Sequence, residues 1–243
     1  MDMGRFHQEG FAIVQNPFDE KTLSHTRASL DFNANELGSI RKGGRRDVVD
    51  GLPHLRELSE HVEVLRIMSD LLGEEAFLVR ATLFDKTAEA NWKVPWHQDV
   101  TIAVKERHDT TGYSPWSTKS GVVHVQPPTE VLQRMVTIRV HIDPCPKTNG
   151  ALWVMPGSHH HGRLNQNEIS SYIDEKSTVC CEAGIGDILV MRPLLLHSSS
   201  ASLKPARRRV LHFDFAIGDL PNGLRWRMRD YSRPTLFHEP VSH

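Results

Sequence analysis

At residue 76 the apolar residues of this chain stop recurring every three or four positions and begin to alternate every two, and no other feature constrains the fold as much. The run Ala76-Phe-Leu-Val-Arg-Ala-Thr-Leu-Phe84 is rich in β formers, and comparable runs follow at 100–104, 121–125, 135–142, 151–155, 178–182, 187–191 and 209–217. Between them lie Asn149-Gly150, Pro156-Gly157 and Gly184-Ile-Gly-Asp187, which supply the φ > 0 or side-chain-capped geometry that a reversal between antiparallel strands requires. Eight short strands separated by such turns, with no helical repeat between them, predict a jelly roll or related double-sheet barrel and argue against a βαβ fold.

Before residue 76 the period is helical. Asp19 can cap a helix reaching about Leu30. Leu55, Leu58, Val62, Leu65, Met68, Leu71 and Leu72 predict a second helix that starts near Pro53 and stops at Gly73. Arg41-Lys-Gly-Gly-Arg-Arg46 between them reads as a solvated basic loop. With no repeat, low-complexity tract or linker, residues 1–243 are expected to form a single domain: a helical part over about 17–73, a β core over about 76–217 and a tail from 218 to 243.

Charge narrows the partners. With 29 Lys and Arg against 30 Asp and Glu, the net field recruits neither nucleic acid nor an anionic membrane. No window approaches 18 apolar residues and the first ten residues carry no apolar signal core, so a membrane span and a secretory signal are not expected and a reducing cytoplasm is the default. Three cysteines build no disulfide framework, and the adjacent Cys180 and Cys181 read as small buried hydrophobes. Fifteen histidines, by contrast, invite a search for metal ligands.

That search turns on Pro95-Trp-His-Gln-Asp-Val100. In an extended strand residues i and i+2 share a face, so His97 and Asp99 offer an imidazole and a carboxylate to one ion. The pattern alone is weak, since His141-Ile-Asp143 repeats it. His197, far downstream in Met191-Arg-Pro-Leu-Leu-Leu-His-Ser-Ser-Ser200, supplies a second imidazole, and Arg207-Arg-Arg209 follows it. Two histidines and one carboxylate leave open positions on a metal, the arrangement of non-heme Fe(II) oxygenases. His159-His-His161 is no rival: consecutive residues cannot all face one ion, so His159 is expected in the Pro-Gly-Ser-His turn and the other two in solvent.

These motifs, taken together and in order, resemble the phytanoyl-CoA dioxygenase-like branch of the Fe(II)/2-oxoglutarate-dependent oxygenases over about residues 6–216. Gly10-Phe-Ala-Ile-Val14 is similar to that family's opening strand, Trp96-His-Gln-Asp99 to its His-x-Asp motif, and Asn149-Gly-Ala-Leu-Trp-Val-Met-Pro-Gly-Ser-His159 to its Asn-Gly and Pro-Gly-Ser-His segments. Gly186-Asp187, ten residues before His197, is similar to the segment carrying its distal histidine. The resemblance implies a double-stranded β-helix (cupin-like) core. It also implies Fe(II) held by His97, Asp99 and His197, and 2-oxoglutarate anchored by Arg208, eleven residues beyond His197. Ser199 and Arg139 occupy positions from which family members contact the cosubstrate; read as bare residues, they are equally a strand serine and a rim ion pair.

The implied activity is hydroxylation of an unactivated C–H bond of a small organic molecule, with O₂ consumed and 2-oxoglutarate converted to succinate and CO₂. A carboxylate at 99 disfavours halogenation, for which relatives carry a small residue there. Two alternatives stay open, a keto-acid-independent cupin-type metalloprotein and a non-catalytic metal-binding module. In the strand Arg208-Val-Leu-His-Phe-Asp-Phe215, alternation sets Arg208 opposite Leu211, Phe213 and Phe215, while Arg207 and Arg209 are expected to be solvated or sheet-edge charges. The stretch between Val100 and Val136 reads as a long loop over the site, either a substrate lid within 104–136 or a surface excursion packed by Trp116. Substrate identity and oligomeric state are not legible.

Overall fold

The computed structural model describes residues 1–32, 44–88, 91–204 and 206–229. Arg41 to Gly43 of the basic segment and residues 230–243 of the tail lie outside the described residues.

The core is a jelly roll of two antiparallel sheets. The larger has the order β1(Phe11–Val14), β11(Ile188–Met191), β8(Met135–His141), β13(Arg208–Ala216), β3(Phe77–Lys86), β2(Arg45–Arg46). The smaller runs β10(Val179–Cys181), β9(Leu152–Val154), β12(His197–Ser199), β4(Val94–His97). The alternation predicted for β13 holds. Leu211, Phe213 and Phe215 pack outward into the helix-side core, and Arg208 and His212 face the cleft between the sheets. All nine residues of β13 are buried, so only the neighbours distinguish its two faces.

The helices cover the outer face of the larger sheet. α2(Glu20–Phe32) contributes Leu23 and Leu30, and the predicted second helix is interrupted. α3(Val48–Gly51) and α4(Pro53–Ser59) end before Glu60, and α5(Val62–Leu72) restarts after His61, whose extended backbone and Nδ1 cap the Glu63 N–H at 3.3 Å. The restart resets the helical phase: Val64, Ile67, Met68 and Leu71 are buried, whereas Val62, counted in the predicted stripe, is exposed. Gly73 ends α5 at φ +90°, as its position predicts. A short helix, α1(Met3–Glu9), precedes β1; its polar sequence hid it.

Three further expectations change. The stretch after Val100 is not an open loop: β5(Ile102–Val104), β7(Val122–Val125) and β6(Trp116–Lys119) form a three-stranded sheet, followed by α6(Thr129–Gln133). Ile102, Val104, Tyr113 and Val125 pack it against Val79, Met135 and Ala216 of the larger sheet, and Arg107 lies 5.6 Å over the partly buried Trp116 ring. β6 was missed because Ser117, Thr118 and Lys119 are all exposed. The segment 218–229 folds back: Trp226 is buried beside Val104, donating Nε1–H to the Gly218 carbonyl, and Met228 enters the helix-side core. Arg45 and Arg46, read as loop, pair as a strand with Leu83 and Thr82. Among the described residues no helix is long and apolar enough to cross a membrane.

Candidate metal centre

The minor sheet brings the two histidines together. His97, the last residue of β4, is the register partner of His197, the first of β12, and their ring centroids are 4.2 Å apart. Each Nδ1 lies 2.9 Å from the backbone carbonyl two residues earlier, Pro95 and Leu195. Nδ1 is therefore the donor in both rings, leaving each Nε2 lone pair free for an electrophile.

Asp99 gets there by a bend, since the strand stops at His97. The buried Gln98 side chain donates to the carbonyls of Gly162 (2.8 Å) and Leu194 (2.7 Å) and accepts from Leu164 N–H (2.8 Å), while Asp99 N–H donates to Pro193 (2.9 Å). Asp99 Oδ2 then sits 3.7 Å from His197 Nε2, and the ligand atoms of His97, Asp99 and His197 all lie within 4.8 Å of one another. Bonds of about 2 Å to a common ion need donors roughly 3–4 Å apart, so a small inward shift of side chains accommodates one. The electrostatics suit a cation. Burial, then the neighbouring His97, holds His197 well below the usual histidine range and keeps it neutral; against burial, His197, His212, His97 and Arg80 keep the Asp99 carboxyl ionised. Among the described residues no other trio of metal-type ligands converges.

The surrounding cleft encloses about 170 Å³. One face of β3 supplies Arg80, Thr82, Phe84 and Lys86 to it, and β13 and β8 supply Arg208, His212 and Arg139. Arg208, paired in register with Lys86, is buried; its Nη1 donates to the Gly150 carbonyl and lies 3.3 Å from Cys145 Sγ, while its Nε has no partner in the structure. The Asn149-Gly150 turn explains that hold. Asn149 is tied to Ala206 through both amide atoms, and Gly150, at φ +72°, has the Ser200 carbonyl 2.8 Å from where a Cβ would be. Arg139 donates Nη1–H to His212 Nδ1 (3.0 Å), and its Nε also lacks a partner. Ser199 is buried and accepts from Lys86 Nζ at 3.3 Å. All six site residues named from the sequence thus line one cleft.

Sequence reasoning missed Lys86, whose Nζ also donates to the Trp92 carbonyl at 2.7 Å. Burial, with Arg208 and Arg139 nearby, pushes this ammonium down to about 8. Its signal was available, because Arg80 and Lys86 fall on the same face of one strand. Also missed was the polar floor. Asp214 pairs with Arg80, accepts from Thr137 Oγ1 (2.6 Å) and lies 3.1 Å from His212 Nε2. Arg209 requires a correction. It is 3% exposed, donating through Nε and Nη2 to both Asp143 oxygens at 2.8 Å. The odd face of β13 abuts the helices, where a charge persists only with a partner. Arg207, as expected, is a half-exposed charge bridging Asp31 and Asp85.

Of the other candidates, His160 and His161 are exposed and His159 is half-buried in its turn. Ser158 of that turn accepts from Leu196 N–H at 2.8 Å, bracing the strand that carries His197. Cys181 is buried and Cys180 half-buried in β10, their thiols pushed up by burial to about 12 and 11.

Comparison with known proteins identifies the family and the fold. The model of the phytanoyl-CoA dioxygenase family matches residues 6–210. "Phytanoyl-CoA dioxygenase 1" of Oryza sativa subsp. japonica is 35% identical over 105 residues, which are 39% of this chain and 36% of that protein, so the match spans little more than a third of the relative's length. Among solved structures, the 2-oxoglutarate (alpha ketoglutarate)-dependent carbocyclase SnoK from nogalamycin biosynthesis superposes with a TM-score of 0.70 at 15% identity, covering 92% of this chain and 84% of SnoK. HygX from Streptomyces hygroscopicus, with nickel and 2-oxoglutarate bound, gives 0.65 at 14% identity over 89% and 87% of the two chains. EctD from S. alaskensis, with 2-oxoglutarate and 5-hydroxyectoine, gives 0.68 at 15% identity over 88% and 74%. At these identities the likeness is one of fold.

Proposed function

Because the chain belongs to the phytanoyl-CoA dioxygenase family, a family of enzymes that use Fe(II), 2-oxoglutarate and O₂, we propose that it hydroxylates an unactivated C–H bond of a small organic molecule, with His97, Asp99 and His197 as iron ligands. One observation carries the reading: beside the two-histidine, one-carboxylate trio lie Lys86, Arg139 and Arg208, three buried cations to which no carboxylate is bonded among the described residues. Buried charges are ordinarily paired. A small dianion reaching from the metal into this cluster supplies what it lacks, and the unpartnered Nε–H groups of Arg139 and Arg208 are donors for it.

Fe(II), with 2-oxoglutarate and O₂, supplies oxidative decarboxylation of the keto acid to succinate and CO₂ coupled to oxidation of the substrate. The chain's own residues orient and shelter that chemistry. Arg208 offers the distal carboxylate a planar fork, Lys86 a point charge and Ser199 a hydroxyl donor. Arg139 is held in place through His212 and Asp214. The backbone carbonyls of Pro95 and Leu195 set the histidine tautomers, and Gln98 sets the carboxylate. Phe84 and Leu152 line the same cleft and limit water around the reacting atoms.

The test is an anaerobic titration of the Fe(II) protein with 2-oxoglutarate, followed by its weak visible charge-transfer band and, after air is admitted, by succinate formation. A band in the parent that is lost in His197→Ala is the expected result. A parent that binds Fe(II) but yields neither band nor succinate would sink the proposal and favour a keto-acid-independent metal-binding protein.

A further inference from the structure

The cleft is more cationic than one cosubstrate requires. Among the described residues six cationic side chains line it (Arg46, Arg80, Lys86, Lys119, Arg139 and Arg208) against a single lining carboxylate, Asp99. They divide into two groups. Lys86, Arg139 and Arg208 are buried, and Lys86 donates to Ser199. Arg46, Arg80 and Lys119 belong to the other end: Arg46 is the register partner of Thr82, four residues along β3 from Lys86, or about 13 Å at 3.3 Å per residue. A five-carbon keto acid with its C1–C2 end at the metal reaches one group only.

Among the described residues no carboxylate near the second group is bonded to Arg46 or Lys119. Asp214 is bonded to Arg80, Asp47 to Arg227 at 2.8 Å, and Asp99 belongs to the metal trio. Arg46 makes one hydrogen bond, a long one of 3.4 Å to the Gly44 carbonyl, and neither Arg46 nor Lys119 is ion-paired among the described residues. Both are held below their ordinary ranges, first by partial burial and then by like charges, Arg80 on Arg46 and both arginines on Lys119, with Asp47 and Asp99 opposing the shift only in part. His124, buried behind them, is kept neutral by burial and adds no charge to this excess.

Resting on the function proposed above, we propose that Arg46 and Lys119 form an anion subsite for the primary substrate, so that the enzyme selects organic acids, carboxylates or phosphate esters, over neutral molecules. Arg46 projects from the edge of the larger sheet and Lys119 from the three-stranded sheet, so an anionic group bridging them joins the insertion to the core over the metal. Phe84, Trp92, Val94 and Leu152 line the same cleft beside the first group, and Thr82 and Thr101 complete the lining.

The experiment uses anaerobic Fe(II) protein saturated with 2-oxoglutarate, titrated with hexanoate, hexyl phosphate and hexanamide, and reads perturbation of the visible band together with calorimetry. A parent without the band refutes the oxygenase reading itself, before any probe is added. Given the band, one or both anions should bind at least tenfold tighter than the amide, and which of them does so separates a carboxylate from a phosphate. In the Arg46→Gln, Lys119→Gln double variant the preference should shrink to about twofold with 2-oxoglutarate affinity unchanged. Lys119→Gln alone, an exposed change that spares the fold, should remove about half of it on a logarithmic scale. Equal binding of anion and amide, no binding by either anion, displacement of 2-oxoglutarate by the anions, or a preference that survives in both variants would each overturn the proposal.

Discussion

His97-Gln-Asp99 and His141-Ile-Asp143 have the same spacing and opposite fates. In the first, the strand ends at the histidine and Gln98 ties the chain into a bend that returns Asp99 to the imidazoles of His97 and His197. In the second, His141 lies inside the barrel with Nδ1 3.2 Å from the Asp187 carbonyl, whereas Asp143, past the strand end, turns to the helix side and holds Arg209. The middle residues differ accordingly: Gln98 makes three side-chain hydrogen bonds, and Ile142 is fully buried in the helix-side core. What distinguishes a metal motif from its copy is the partner each strand end meets.

Exchanging the carboxylates for alanine is the sharpest way to break this comparison. Asp99→Ala should abolish turnover and Fe(II) binding with little loss of stability. Asp143→Ala should leave Fe(II) affinity unchanged but cost up to about 3–5 kcal/mol of stability, because the buried Arg209 is left with only the more exposed Asp31 as a partner. Fe(II) titration and denaturant unfolding of both variants check this, and metal loss in Asp143→Ala would show that the copies are not functionally separate.

The arginines extend the contrast to β13. Arg208→Ala should weaken 2-oxoglutarate binding by roughly 10²- to 10³-fold, the equivalent of about 3–5 kcal/mol for an unpaired buried anion. Arg208→Lys should lose less. Arg209→Ala should unfold earlier without changing that affinity in the folded protein, and Arg207→Ala should change neither by more than a few-fold. A large affinity loss at Arg209 would mean that the face assignment is wrong.

Gln98→Leu keeps volume but removes three hydrogen bonds that aim Asp99. Supporting shells of this kind are worth about 10- to 100-fold in metal affinity, and an Fe(II) affinity within twofold of the parent would show that the bend is held by other contacts.

The smallest effect concerns pH. Burial pushes His141 from 6.5 down to about 3, so the unfolded chain binds a proton there that the folded chain refuses. The stabilising contribution is complete above about pH 6.5 and declines as pH falls towards 3, reaching a loss of about 2 kcal/mol by pH 5 at 1.4 kcal/mol per unit. Buried His124 and half-buried His159, both pushed to about 4, act with the same sign. Urea midpoints at pH 7.5 and pH 5 should fall in the parent and fall less in His141→Leu; parallel slopes would assign the acid sensitivity elsewhere.

Much of this was written locally. Two-residue alternation, the Asn-Gly and Pro-Gly turns and the Gly73 stop are short-range signals, because each depends on the φ, ψ and face preferences of a few neighbouring residues. They made the jelly roll and β13's two faces readable in one dimension, whereas His97, Asp99, His197 and Arg208 were named from spacing together with the family resemblance. Where expectation and structure part, the deciding contact is distant in sequence. His61 breaks a helix whose apolar period runs on through it, and Arg209 takes Asp143 from 66 residues away. Exposed Ser117 and Lys119 form a strand because β7 pairs with them, and Arg46 joins the cleft because β3 does. The sequence by itself determined the fold class and which side chains are candidate ligands, the first from periodicity and the second from side-chain chemistry and the family resemblance. Only the tertiary structure decided which of two identical His-x-Asp spacings meets a second histidine, and which cations stay unpaired inside the barrel, because charge pairing and burial depend on what packs opposite.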